Sequence, residues 1–199
     1  HRDLHSFPTR RSSDLYNDDY RPILLYVGRL QARKRLDTLI EVCSQLPTKL
    51  QPKLWIVGDG TIRPDLENLA TIIYPETKFW GEKFGQELEI LFNQADLFVL
   101  PGTGGLAVQQ AMAHALPVIV AEGDGTQTDL VNAENGWNIS PNDPKSLLAA
   151  ISSALSNPER LRQKGLAAFQ TIKTRVNIEQ MVSVFIEASM DALSREKGK

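Results

Sequence analysis

Short apolar runs rich in β-branched and aromatic residues alternate with stretches of helical periodicity. This alternation constrains the fold more than any other feature of the chain. Ile23-Leu24-Leu25-Tyr26-Val27 reads as a buried strand. Leu36, Leu39, Ile40, Cys43 and Leu46 follow at helical spacing, and Pro47 closes that helix. Leu54–Val57 is a second strand, ended by Gly58-Asp59-Gly60, and Asp65–Ile73 is a helix. Lys78–Trp80, Asp96–Leu100, Pro117–Val120 and Gly136–Ile139 continue the strands, with Glu87–Gln94 and Leu106–Ala115 as helices between them. Asp143-Pro144 and Asn157-Pro158 each place a capping residue before a proline suited to the first helical position. A last helix is expected over about 177–195, with Ile178, Met181, Val182, Phe185 and Met190 on one broad face. Strands alternating with helices imply an α/β class: a Rossmann-like, doubly wound parallel sheet covered on both faces.

The 199 residues allow one domain, and a 42% apolar content suffices for a core. The first fifteen residues stand apart. His1–Leu15 has no periodicity, and HSFPTRRSSDL at His5–Leu15 resembles the translation of a common sequencing adapter. Residues 1–15 are therefore expected to be a disordered artefact, with the domain spanning 16–199. Setting them aside moves the formal charge from −2 to −3 and leaves His114 as the single histidine. That balance does not suggest nucleic acid as a partner. With one cysteine, Cys43, and one histidine, neither an internal disulfide nor a histidine-ligated metal is expected; Cys43 reads as a core residue in a reducing compartment. No apolar run reaches the length of a membrane span.

Ligands of open parallel sheets bind outside the carboxyl ends of the strands, so the residues just after each strand carry the chemistry. These are Gly28-Arg29-Leu30, then Arg33-Lys34-Arg35 opening the first helix, Gly58-Asp59-Gly60, and Pro101-Gly102-Thr103-Gly104-Gly105 before a helix. Glycines at a helix start let backbone N–H groups approach an anion closely. Arg29 and Lys34 add fixed positive charge on the same rim, and a diphosphate would use both. Taken singly, Arg33-Lys34-Arg35 reads as a helix start with its face in water, and Gly-Asp-Gly as a turn. Trp55, Trp80 and Trp137 read as core residues, and His114 as structural.

The blocks VGRL…KR…DTLI (Val27–Ile40), IVGDG…IRPDLENLA (Ile56–Ala70), FWGE (Phe79–Glu82), ADLFVLPG…GGLAVQQAMAHALPVIVAE (Ala95–Glu122) and DLVNAENGWNISPNDPKSLLAAI (Asp129–Ile151) occur in one order. Together they resemble the C-terminal, nucleotide-sugar-binding half of group 1 (family 4) glycosyltransferases, over about residues 22–190. The resemblance implies one half of a GT-B fold and a nucleoside-diphosphate-sugar donor, with no cofactor or metal. It implies that Arg29 and Lys34 stabilise the leaving diphosphate. Gly28, Gly102, Thr103, Gly104, Gly105, Leu106 and Gln110 would contact the donor, with Lys83 near the base. It further implies an N-terminal acceptor domain missing from this chain, to which the last helix would cross back. Acceptors would be a sugar, a lipid-linked glycan or a small metabolite, and the location cytoplasmic or peripheral at the inner membrane face. Without its other domain, the face of the last helix would favour self-association.

The chain departs from the family pattern where the donor sugar and ribose would lie. The second of two family glutamates aligns with Gln110, and the first is absent from a loop about three residues shorter than usual, with glycines in its place. An amide still bonds a ribose hydroxyl, but without charge. Two readings stay open: a glycosyltransferase, retaining in outcome, and a degenerate nucleotide-sugar-binding module that does not turn over.

Overall fold

The computed structural model describes residues 20–104, 106–123 and 129–176. The expected artefact at 1–15, the last helix and Gly105 lie outside the described residues. The strands are β1 (Ile23–Val27), β2 (Lys53–Val57), β3 (Thr77–Gly81), β4 (Leu97–Leu100), β5 (Val118–Ala121) and β6 (Gly136–Ile139). The helices are α1 (Leu36–Gln45), α2 (Arg63–Ile73), α3 (Gly85–Gln94), α4 (Leu106–Ala113), α5 (Pro144–Leu155) and α6 (Pro158–Arg175). One parallel sheet results, in the order β3-β2-β1-β4-β5-β6.

That order explains the composition of the strands. Right-handed crossovers that step from β1 toward β3 place their helices on one face, and those from β4 toward β6 use the other. Accordingly α1 packs beside α2 and α5, while α4 packs beside α6. The central strands are covered on both sides, so all four residues of β4 and of β5 are buried. Edge strand β3 keeps Lys78 exposed and the rest half-buried.

The helix boundaries follow local chemistry. Asp143 accepts from the Lys145 amide at 3.0 Å and Asn157 from the Arg160 amide at 2.9 Å, each with proline next in the chain. The helix expected to reach Ala115 stops at Ala113, because Ala115 turns left-handed (φ 56) to reach β5. Cys43 is fully buried, as expected of a core residue. The three tryptophans are half-buried against the core, with Trp55 and Trp80 edge-to-face at 5.0 Å. His114 stacks on Phe92 and bonds Asn93 at 2.8 Å, a structural setting.

Candidate functional site

The strand order reverses between β1 and β4, so their outgoing connections diverge to opposite faces and leave a crevice at the carboxyl ends. The segments expected to carry the chemistry flank that crevice: Gly28–Arg35 after β1 and Pro101–Gly104 after β4. The position of each loop follows from the strand that feeds it.

The β1–α1 connection is not a plain helix start with its face in water, as the Arg33-Lys34-Arg35 run suggested. Ala32–Lys34 form a separate 3-10 turn, Arg35 is left-handed (φ 55), and α1 begins only at Leu36. This geometry turns Lys34 inward, to 8% exposure, while Arg29 and Arg33 stay exposed. The Lys34 ammonium donates to the Thr103 carbonyl. Arg33 Nη1 donates to the Thr103 hydroxyl at 3.1 Å. A basic segment after β1 thus clasps the glycine loop after β4.

That loop fits only because two of its positions, Gly102 and Gly104, carry no side chain. A Cβ on Gly102 would collide with the Arg33 carbonyl and Lys34 Cα. Gly104 sits at φ 136, and a Cβ there would strike the Lys34 ammonium. Beneath the rim, buried Tyr26 donates to the Arg29 carbonyl at 3.0 Å. Burial pushes its phenol well above the ordinary value, with Arg33 opposing, so it remains a protonated donor.

A hollow of about 350 Å³ opens beside Gly28 and Arg29, walled by Val27, Asp59, Glu82, Lys83 and Phe84. Lys83 lines this hollow, paired with Glu87 at 2.8 Å. The Phe84 ring is 73% exposed at its lip. On the α4 side, Leu106 is 85% exposed at the first helical residue, and Gln110 is exposed. The structure therefore brings Lys34 and Gly102–Gly104 together, and places Gly28, Arg29 and Lys83 around the hollow. Arg33 and Arg35 were missed as contributors, because a run of basic residues carries no mark of which side chain turns inward. Among the described residues, no group of three His, Cys, Asp or Glu is placed to hold a metal ion.

A doubly wound parallel sheet with cations and glycines at its switch point has the architecture of the Rossmann-like α/β proteins. The chain belongs to the group 1 glycosyl transferases, whose family model matches residues 10–170. It is 30% identical over 155 residues to the sulfoquinovosyl transferase SQD2 of Arabidopsis thaliana, covering 74% of this chain and 29% of that one. It is 31% identical over 176 residues to the GDP-mannose-dependent alpha-mannosyltransferase of Mycolicibacterium smegmatis, covering 84% and 44%. The sucrose-phosphate synthase structure from Thermosynechococcus elongatus superposes with a TM-score of 0.76 at 26% identity, over 90% of this chain and 47% of that one. The chain thus spans less than half the length of these relatives. Its sheet corresponds to one Rossmann-like half of a GT-B fold.

Proposed function

We propose that this chain is the donor-binding half of a glycosyltransferase, which moves a sugar from a nucleoside-diphosphate sugar to an acceptor hydroxyl. The observation that carries the reading is the convergence of Lys34 and the Gly102–Gly104 loop at the β1/β4 switch point, with exposed Arg29 on the same β1–α1 connection. In the reaction, the bond between the sugar's anomeric carbon and the phosphate oxygen breaks. The acceptor oxygen bonds that carbon and loses its proton, and the nucleoside diphosphate departs with added negative charge. Arg29 and Lys34 stabilise that charge, and Gly28, Thr103, Gly105 and Leu106 border the donor. The hollow beside Lys83 takes the base, its size being ordinary for part of a small-molecule site. Gln110 faces the ribose. The GDP-mannose-dependent relative supports a nucleotide-sugar donor.

The outcome is retaining in this reading. An N-terminal domain outside this chain supplies the acceptor site, with residues 1–15 foreign to the domain at 16–199. No cofactor or metal takes part, and the protein works in the cytoplasm or at the inner membrane face. Among the described residues no helix is long and apolar enough to cross a membrane. Calorimetry with UDP and with GDP tests the donor site: binding by the parent chain, lost in Arg29→Ala plus Lys34→Ala, is expected. Undiminished binding in the double variant sinks it. A second reading, a binding module without turnover, draws on Gln110 standing where the family resemblance places a glutamate. Recovery of the longer protein and a donor screen separate the two, because a module would bind a nucleotide sugar without consuming it.

A further inference from the structure

The β1–α1 connection adopts a conformation that its sequence does not favour. Arg35 has φ 55 and ψ 40, the left-handed region, which residues other than Gly, Asn and Asp rarely adopt. This one residue ends the 3-10 turn and begins α1: its amide donates to the Ala32 carbonyl at 3.0 Å, and its carbonyl accepts from the Leu39 amide at 3.2 Å. The reversal falls directly after Lys34, so the dihedrals of Arg35 decide where Lys34 points.

The Arg35 side chain compensates for its backbone. Nη1 donates to Asn142 Oδ1 at 2.7 Å, and Nη2 to Thr38 Oγ1 at 3.2 Å. Asn142 is itself left-handed (φ 57) and directly precedes Asp143, the cap of α5. The guanidinium therefore ties together the starts of α1 and α5, which pack side by side but whose tied residues lie 107 positions apart. It does so although its Nε is buried without a hydrogen-bond partner, the Asp37 carboxylate standing off at 3.9 Å. An unsatisfied buried donor is costly, so the two bonds made by the other nitrogens outweigh it.

We propose that Arg35 is a positioning residue for Lys34: its bonds to Asn142 and Thr38 hold the left-handed turn that keeps the Lys34 ammonium beneath the Gly102–Gly104 loop. The functional consequence rests on the donor-binding reading, whereas the placement of Lys34 does not. Competitive acetylation of the folded chain, read lysine by lysine in a mass spectrometer, separates the two. Arg35→Ala and Asn142→Ala are expected to raise the reactivity of Lys34 roughly five- to tenfold, leaving the buried Lys164 unchanged. Arg35→Gly suits the left-handed backbone but removes the tie. Because the turn itself is retained, Lys34 should stay about as protected as in the parent chain, with the melting temperature close to it; a rise equal to that in Arg35→Ala would overturn the role given to the turn. Lys34 reactivity unchanged in Arg35→Ala and Asn142→Ala overturns the proposal. Equal rises at Lys34 and Lys164 also overturn it, since they report general loosening. Affinity for UDP or GDP should weaken several-fold in Asn142→Ala, and undiminished affinity in a chain that binds them counts equally against it. If the parent chain binds neither, the donor-binding reading falls and the acetylation result still decides the positioning.

Discussion

Among the described residues two lysines are buried, at opposite ends of the same sheet. Lys34 lies at the carboxyl end, 8% exposed, and Lys164 at the amino end of β6, 4% exposed. Both ammonium groups donate to backbone carbonyls: Lys34 to Thr103, and Lys164 to Ala133 and, at 3.3 Å, to Gly136. Burial and pairing do not distinguish them; their neighbours do. Lys164 lies over the Trp137 ring at 4.6 Å and holds the turn that leads into β6. Lys34 shares its end with exposed Arg29 and Arg33, a glycine loop and a hollow. The carboxyl end of a parallel sheet gathers its connections around a crevice, where the proposed donor site would use a buried cation; at the other end Lys164 has carbonyls and a ring to hold.

The sharpest break in this comparison should come from Lys164→Met. It leaves two carbonyls without their donor, and urea unfolding should show a loss of about 2–3 kcal/mol with nucleotide affinity intact. An equally stable variant would remove the structural half of the contrast. Lys34→Met should do the reverse, weakening UDP or GDP binding about tenfold by calorimetry while moving the unfolding midpoint less than Lys164→Met does. If stability falls as far and affinity holds, the two lysines are alike and the rim has lost its meaning. Next in size is Asn157→Ala, which uncaps the helix carrying Lys164 and should cost about 1 kcal/mol of stability without touching binding.

The smallest effect is a pH dependence. Burial first, and then Arg160, hold the Lys164 pKa below its ordinary 10.5, with Glu134 opposing. Between the folded and unfolded pKa values the unfolded chain binds more protons. Stability from this group therefore rises as pH climbs through that window toward 10.5 and is lowest below it. Urea midpoints at about pH 8 and about pH 10 should show this increment in the parent chain and not in Lys164→Met. An increment of the same size in both would assign it to other groups.

The central strands were legible because burial on both faces demands unbroken apolar runs, and Ile23–Val27 matches its strand end to end. The caps at Asp143 and Asn157 were legible because a capping residue followed by proline has few other uses. The rim loops could be placed, since they had only to follow strands. The inward turn of Lys34 could not be read. It depends on a left-handed arginine, a residue type that gives no local signal for that conformation, and on a partner 107 positions away. Asn142 is a residue type that does favour such turns, but nothing local ties it to Arg35. The helix ending at Ala113 was overrun for the same reason, because Ala115 is left-handed without a glycine to announce it.

The nesting of Gly102 against Arg33 and Lys34 also bears on how this half could be recombined with others. At Gly102 the two loops meet backbone to backbone, so no side chain there can be trimmed by a graft to make room. A chimera whose crossover falls between residues 35 and 101 takes one loop from each parent and must fit two independently evolved main-chain contours together. Crossovers placed outside that interval inherit the contours as a matched pair. A library of chimeras should therefore show a survival gap over that stretch of sequence.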